Sequence, residues 1–169
     1  VQRRQLSHLA RQVRVMRAPE GIRIDLMDNA DFSMFELGTT ILTREARGLL
    51  EVMAETLKDE AAPLILRGHT DSLPWRSGVA ANNWSLSTGR AEATRQTLVL
   101  GGVAQTRISR IEGVAETEPL VSDNPADPRN RRISLLLLDG RATTGRRAPP
   151  TSPAAQPAPI PAPAAPAPR

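Results

Sequence analysis

The chain has no cysteine, no tyrosine and only four aromatic residues, Phe32, Phe35, Trp75 and Trp84, among its 169 positions. Without cysteine there is neither a disulfide frame nor a thiolate metal centre. Four aromatics without a basic surface around them make no stacking platform for nucleic acid. No apolar run reaches the ~18 residues that a membrane-spanning helix needs, and no signal-peptide pattern is present. Histidine is scarce too. His8 and His69 are the two present, and a zinc site takes three or four ligands. No serine sits in a G-x-S-x-G elbow. Gly101-Gly102 follows a helical pattern instead of opening one, so it is a helix stop and not a phosphate loop. We expect no catalysis, no metal and no cofactor.

The net charge of +4 hides an uneven distribution. Residues 1–19 carry five arginines and no acid, and residues 141–169 carry four arginines and no acid. Between them, residues 20–140 hold thirteen basic and eighteen acidic side chains, a net of −5. Basic ends on an acidic middle do not make a nucleic-acid footprint. The last segment also holds nine of the 15 prolines, mostly alternating with alanine. Such a sequence can neither pack a core nor donate a regular ladder, so 140–169 reads as a disordered, semi-extended tail. The first residue is Val1, so the chain is expected to be a fragment whose own start, with any membrane anchor, is missing.

Residues 1–19 place Leu6, Leu9, Val13 and Met16 on one helical stripe among arginines. This predicts an amphipathic helix, either packing on its own domain or serving as a linker or dimer helix. The foldable part is 20–139. "GIRIDLMD" alternates as a half-buried strand. Thr43 can cap a helix whose Ala46, Leu49, Leu50, Met53, Ala54 and Leu57 follow the 3.6 period. "LIL" after Pro63 is a short buried strand. A second helix is expected from an N-cap near Ser87 to Gly101-Gly102. "RISRIEG" and "RRISLLLL" follow as strands, the latter buried on both faces. Strands alternating with helices predict an α/β (α+β) two-layer sandwich: a mixed sheet, some neighbours parallel, covered by helices.

The chemistry concentrates in "GHTDSLPWRSGVAANNWSLSTGRA". Asp71 follows a strand and Arg90 lies early in a helix. A carboxylate that accepts from an ammonium, and a guanidinium that clamps a carboxylate through two parallel hydrogen bonds, would together hold a zwitterion. The free N–H groups of the nearby helix start would help. The other reading of the same residues, which spacing alone favours slightly, is an Asp71–Arg90 surface ion pair that pins the loop.

"GHTD", "NNWSLSTGRA" and "NPADPRNRRISLLLL" together resemble the OmpA-like peptidoglycan-binding domain over 20–139. Their variants are most similar to the MotB-type stator proteins that anchor the flagellar motor to the cell wall. The resemblance implies that Asp71 takes the amine, and Arg90 the carboxylate, of a stem-peptide diamino acid such as diaminopimelate. It places Thr70 and Asn83 on the pocket wall, and Asn130, Arg131 and Arg132 near the glycan groove. Glu36 is a weaker candidate, where many relatives have Phe-Asp. His69 is read as shape-setting, Leu86 as core and Ser87 as a cap. The implied partners are peptidoglycan, a second copy in a homodimer, and a MotA-type membrane subunit reached through the missing N-terminal part. The implied location is periplasmic, on a single-pass inner-membrane protein. The alternatives are another OmpA-like anchor, such as a Pal-type lipoprotein or an outer-membrane protein tail, and a wall hydrolase.

Overall fold

The computed structural model describes residues 10–73 and 82–140. Leu6, Leu9, Trp75 and the Pro/Ala segment from 141 lie outside them. The described residues form five strands: β1 (Val13–Ala18), β2 (Gly21–Met27), β3 (Leu64–His69), β4 (Ile108–Gly113) and β5 (Arg132–Leu138). Two helices accompany them, α1 (Arg44–Leu57) and α2 (Asn83–Leu100). The sheet order is β1-β2-β5-β3-β4. β3 and β4 run parallel through the α2 crossover, and every other pair is antiparallel. The mixed sheet and its helical layer are those expected.

The N-terminal segment departs from the expectation. Val13–Ala18 is a strand, not part of a helix. Val13, Val15 and Arg17 pair with Leu26, Ile24 and Ile22, so Pro19-Glu20 is a two-residue hairpin turn and not a helix stop. Two β-branched residues at a spacing of two fit a pleat as well as Val13 and Met16 fit a helical stripe, and the apolar β2 alongside decides between them. Gly21 closes the turn at φ 150°, where a Cβ would sit 1.9 Å from the Leu137 carbonyl oxygen, so no other residue fits.

α1 begins as expected, with the Thr43 hydroxyl accepting from the Ala46 N–H. Its Ala46, Leu49, Leu50, Ala54 and Leu57 are buried against Leu26 of β2, Leu64 and Leu66 of β3, Ile133 and Leu135 of β5, and Leu98 of α2. Each such leucine contributes roughly 1.5–3 kcal/mol.

α2 starts one turn earlier than expected. Asn82 is the N-cap, accepting from the Ser85 N–H, while the Ser85 hydroxyl accepts from the Asn82 N–H. This is a reciprocal capping box. Ser87 is therefore not a cap. It is fully buried in the second turn, donates to the Trp84 carbonyl and accepts from the Ala115 N–H at 3.1 Å. Leu86 is buried, as expected. α2 presses directly onto strand backbone: a Cβ on Gly68 of β3 would lie 2.0 Å from the Ser87 carbonyl oxygen, and one on Gly113 of β4 would lie 2.1 Å from the Thr88 hydroxyl. That close approach fixes how far Arg90 stands from the end of β3.

By strand alternation the opposite face of the sheet carries Arg23, Asp25, Arg67, His69, Glu112, Arg132 and Ser134. It is polar and internally paired. Arg23 bonds Asp25 at 2.8 Å, and Arg67 reaches Glu112 at 2.6 Å and Glu118 at 3.0 Å. β5 is buried on both faces over its first half only, Arg132 to Leu135.

Candidate binding site

The site lies where the carboxyl end of β3, the start of β5, the segment after β2 and the middle of α2 meet. The end of β3 continues into Thr70 and Asp71. Asp71 is 6% exposed. One of its oxygens accepts from the Leu73 N–H at 3.1 Å, a local turn that fixes the carboxylate. The other accepts from Arg131 Nη1 at 2.7 Å. Asp71 therefore pairs with Arg131 and not with Arg90, so the loop-pinning Asp71–Arg90 ion pair is not formed.

Arg131 bridges. Its Nε donates to Asp28 Oδ2 at 2.9 Å while Nη1 holds Asp71. Burial works against the guanidinium charge, but the bonds to the two carboxylates outweigh it and raise its pKa. Asp28, just after β2, accepts from the Met34 N–H at 2.8 Å and from the Ser33 hydroxyl at 3.0 Å. It is nearly fully buried. Sequence reasoning passed over it. The only signal was an acid at the end of a half-buried strand, which looks the same as a surface turn residue.

Arg90 is buried as well, 6% exposed. Its Nε donates to the Thr39 carbonyl at 2.9 Å, and its guanidinium lies 4.9 Å from the centre of the Phe35 ring. These two contacts hold the planar group in place by a hydrogen bond and a cation–π interaction. Among the described residues it forms no ion pair. Burial, then repulsion by Arg131, lowers its pKa against the attraction of Asp28 and Asp71. Terminal nitrogens of a buried guanidinium that meet no carboxylate can clamp one, when the ligand brings its own compensating positive charge. Because α2 starts at Asn83, Arg90 lies two turns inside the helix, and the free N–H groups of the helix start do not lie beside it.

Asp28, Met34, Phe35, His69, Arg90, Arg131 and Arg132 line a cleft between these elements. As it stands the cleft is too narrow for a water-sized sphere, so a ligand entering it must move a side chain.

The remaining candidates separate into groups. Asn83 donates to the Leu73 carbonyl at 3.3 Å and to Glu116 at 3.2 Å, tying the start of α2 to the Asp71 turn. Thr70 is buried beside Asp71, its N–H on the Ala115 carbonyl and its hydroxyl without a partner among the described residues. Asn130 is fully buried and is not among the residues that line the cleft. It accepts from the Val121 N–H and donates to the carbonyls of Val121, Asn124 and Pro125. Its amide is spent on shaping the 121–125 loop. Arg132 donates to the Glu118 carbonyl at 2.9 Å, and burial lowers its pKa to about 10. Glu36 is exposed in the turn between Phe35 and Leu42, and its carboxylate has no hydrogen bond or ion pair among the described residues. Its neighbours Phe35 and Thr39 both touch Arg90.

His69 is held from below. Asp25 accepts from the Ser134 hydroxyl at 2.5 Å, and that oxygen lies 3.2 Å from His69 Nε2. The hydroxyl proton goes to the carboxylate, so Nε2 carries the imidazole proton and Nδ1 is a bare acceptor. Burial, with Arg132 next, pushes the His69 pKa down to about 2. A neutral, fixed ring is what a shape-setting role requires.

Comparison with known proteins agrees with this architecture. The OmpA family model matches residues 34–132. The chain belongs to the OmpA family. Motility protein B of Escherichia coli K12 is 38% identical over 124 residues, covering 73% of this chain and 40% of that protein. The chain thus spans less than half the length of this relative. Among solved structures, the periplasmic domain of Helicobacter pylori MotB superposes with TM-score 0.65 at 16% identity, over 78% of this chain and 92% of that one. The cell wall anchor of the Pseudomonas aeruginosa T6SS gives 0.66 at 24% identity, over 80% and 96%. At those identities the superpositions speak for the fold alone. Among the described residues no helix is long and apolar enough to cross a membrane.

Proposed function

We propose that this chain is a non-catalytic peptidoglycan-binding domain that anchors a flagellar-motor stator to the cell wall. One observation carries the binding reading: buried Arg90, with no ion pair among the described residues, lines the cleft, and buried Asp71 is joined to that lining through Arg131. Asp71 takes the ammonium of a wall diamino acid, and Arg90 takes its carboxylate through two hydrogen bonds. The stator reading is supported by similarity to Motility protein B, and the wall-binding reading by membership of the OmpA family. A single amino-acid-sized pocket binds weakly. A homodimer on a repeating polymer gains effective concentration, and a load can then be held. On this reading the domain is periplasmic, on a single-pass inner-membrane protein whose membrane part meets a MotA-type subunit.

Sedimentation with purified sacculi tests it. The wild-type chain pellets with the wall without releasing soluble fragments. Asp71→Ala and Arg90→Ala leave the far-ultraviolet circular dichroism unchanged and stay in the supernatant. Pelleting of both variants at the wild-type level would remove the pocket. Soluble fragments accumulating with time would replace the binding reading by a hydrolytic one.

A further inference from the structure

The Asp71 carboxylate is not waiting for a ligand, because Arg131 already occupies it. Arg131 is also the more exposed partner of the pair. Its side chain is 31% exposed, against 8% for Asp71 and 5% for Asp28. It is tethered at two points, Nε on Asp28 and Nη1 on Asp71. If the Nη1 contact opens, the guanidinium stays attached to Asp28.

We propose that Arg131, tethered by Asp28, is a resident cation that a ligand ammonium displaces from Asp71, and that this exchange makes the site select for zwitterions. This rests on the pocket reading above and concerns the same site.

The argument is one of charge balance. Asp28 and Asp71 face Arg131 and Arg90, two acids and two arginines in a largely buried group. Arg132 also lines the cleft, but it belongs to the network under the sheet. There Arg23, Arg67, Arg132 and the half-exposed Arg110 face Asp25, Glu112 and Glu118, with Arg110 also met by solvent. The buried cleft group itself has no charge to spare. An amine entering alone would take Asp71, leave Arg131 with one acid, and add an uncompensated positive charge beside Arg90. A carboxylate entering alone would add an uncompensated negative charge beside Asp28 and Asp71. Like charges brought together out of water are strongly disfavoured. A zwitterion keeps the balance: its ammonium replaces the Nη1 contact, and its carboxylate meets Arg90 and the released edge of Arg131. Arg131 is then a specificity-determining residue, and Asp28 the positioning residue that keeps it at the rim.

The test is calorimetric titration of the whole 169-residue chain with three probes: diaminopimelate, cadaverine for amines alone, and pimelate for carboxylates alone. The wild type should prefer diaminopimelate by roughly tenfold or more over either of the others. Arg131→Gln removes the resident cation and should shift the cadaverine-to-diaminopimelate affinity ratio about tenfold toward cadaverine. Asp28→Asn removes one acid and should shift the pimelate ratio in the opposite charge sense. A purely structural role would weaken all three probes by one common factor. Unchanged ratios in Arg131→Gln therefore overturn this proposal while leaving the pocket standing. A wild type that binds none of the probes overturns both. If Asp28→Asn does not fold, Arg131→Gln decides alone, since its side chain is partly exposed.

Discussion

Replacing glycine by alanine should have opposite effects at Gly68 and Gly48, and the difference follows from what each Cβ would meet. Gly68 sits in β3 beneath α2, and an added Cβ would lie 2.0 Å from the Ser87 carbonyl oxygen and 2.8 Å from its carbon. Cβ atoms essentially never come closer than 3.0 Å, so β3 and α2 must separate by about 1 Å. The obstacle is backbone on both sides, and no side chain can rotate away. Overpacking of this kind costs about 3 kcal/mol. At a urea dependence of about 2 kcal/mol per molar, the unfolding midpoint should fall by about 1.5 M. Gly48 lies inside α1 with nothing within 4 Å of the position its Cβ would take. There alanine removes the entropic penalty of a helical glycine, and the midpoint should rise by about 0.3–0.5 M. Urea titration followed by circular dichroism reads both. Equal midpoints for the two variants would refute the claim that α2 is seated on bare strand backbone. That seating is also what sets the reach of Arg90.

Other consequences are as direct. Asn130→Ala removes four hydrogen bonds to the 121–125 loop and should cost about 2–4 kcal/mol by urea unfolding. The protein that remains folded should pellet with sacculi within about twofold of wild type. His69 has a folded pKa of about 2, below its ordinary value of 6.5. The unfolded chain therefore binds the extra proton as pH falls below 6.5, and stability present above that pH is lost by up to about 1.4 kcal/mol per pH unit. His69→Gln should flatten the pH dependence of the urea midpoint between pH 6.5 and 4.5, and the wild-type imidazole should show no protonation by NMR there. Arg90→Lys keeps the charge but lacks the planar fork that bonds the Thr39 carbonyl and lies over Phe35. Diaminopimelate affinity should drop about tenfold in calorimetry.

The fold was legible where pattern and punctuation agreed. Thr43 before a 3.6-residue apolar period, and Gly101-Gly102 after another, mark helix ends that the structure retains. Val13 to Ala18 was not legible, because a six-residue stretch of valine, arginine and methionine satisfies either period. Its hairpin pairing with β2 is a long-range fact. The start of α2 was missed for a local reason: Asn82, Ser85 and Ser87 are all good caps, and only the buried contact of Ser87 with Ala115 excludes it. At the proposed site, the motifs named residues on β3, α2 and β5, but the pairing among them was hidden. Which arginine meets Asp71 depends on how β5 enters the sheet. Asp28 could be recognised only once its 2.9 Å bond to Arg131, 103 residues away, was seen. Spacing identifies residues that share an element; it does not reveal contacts made across the sheet.

The account stands or falls on how Asp71 and Arg90 share a ligand, and a crystal structure of the domain soaked with a diaminopimelate-containing stem peptide tests this directly. We predict the diamino acid in the cleft, its ammonium on Asp71 with Arg131 withdrawn to Asp28, and its carboxylate paired with Arg90. A peptide bound elsewhere, with the Asp71–Arg131 pair intact, would contradict it.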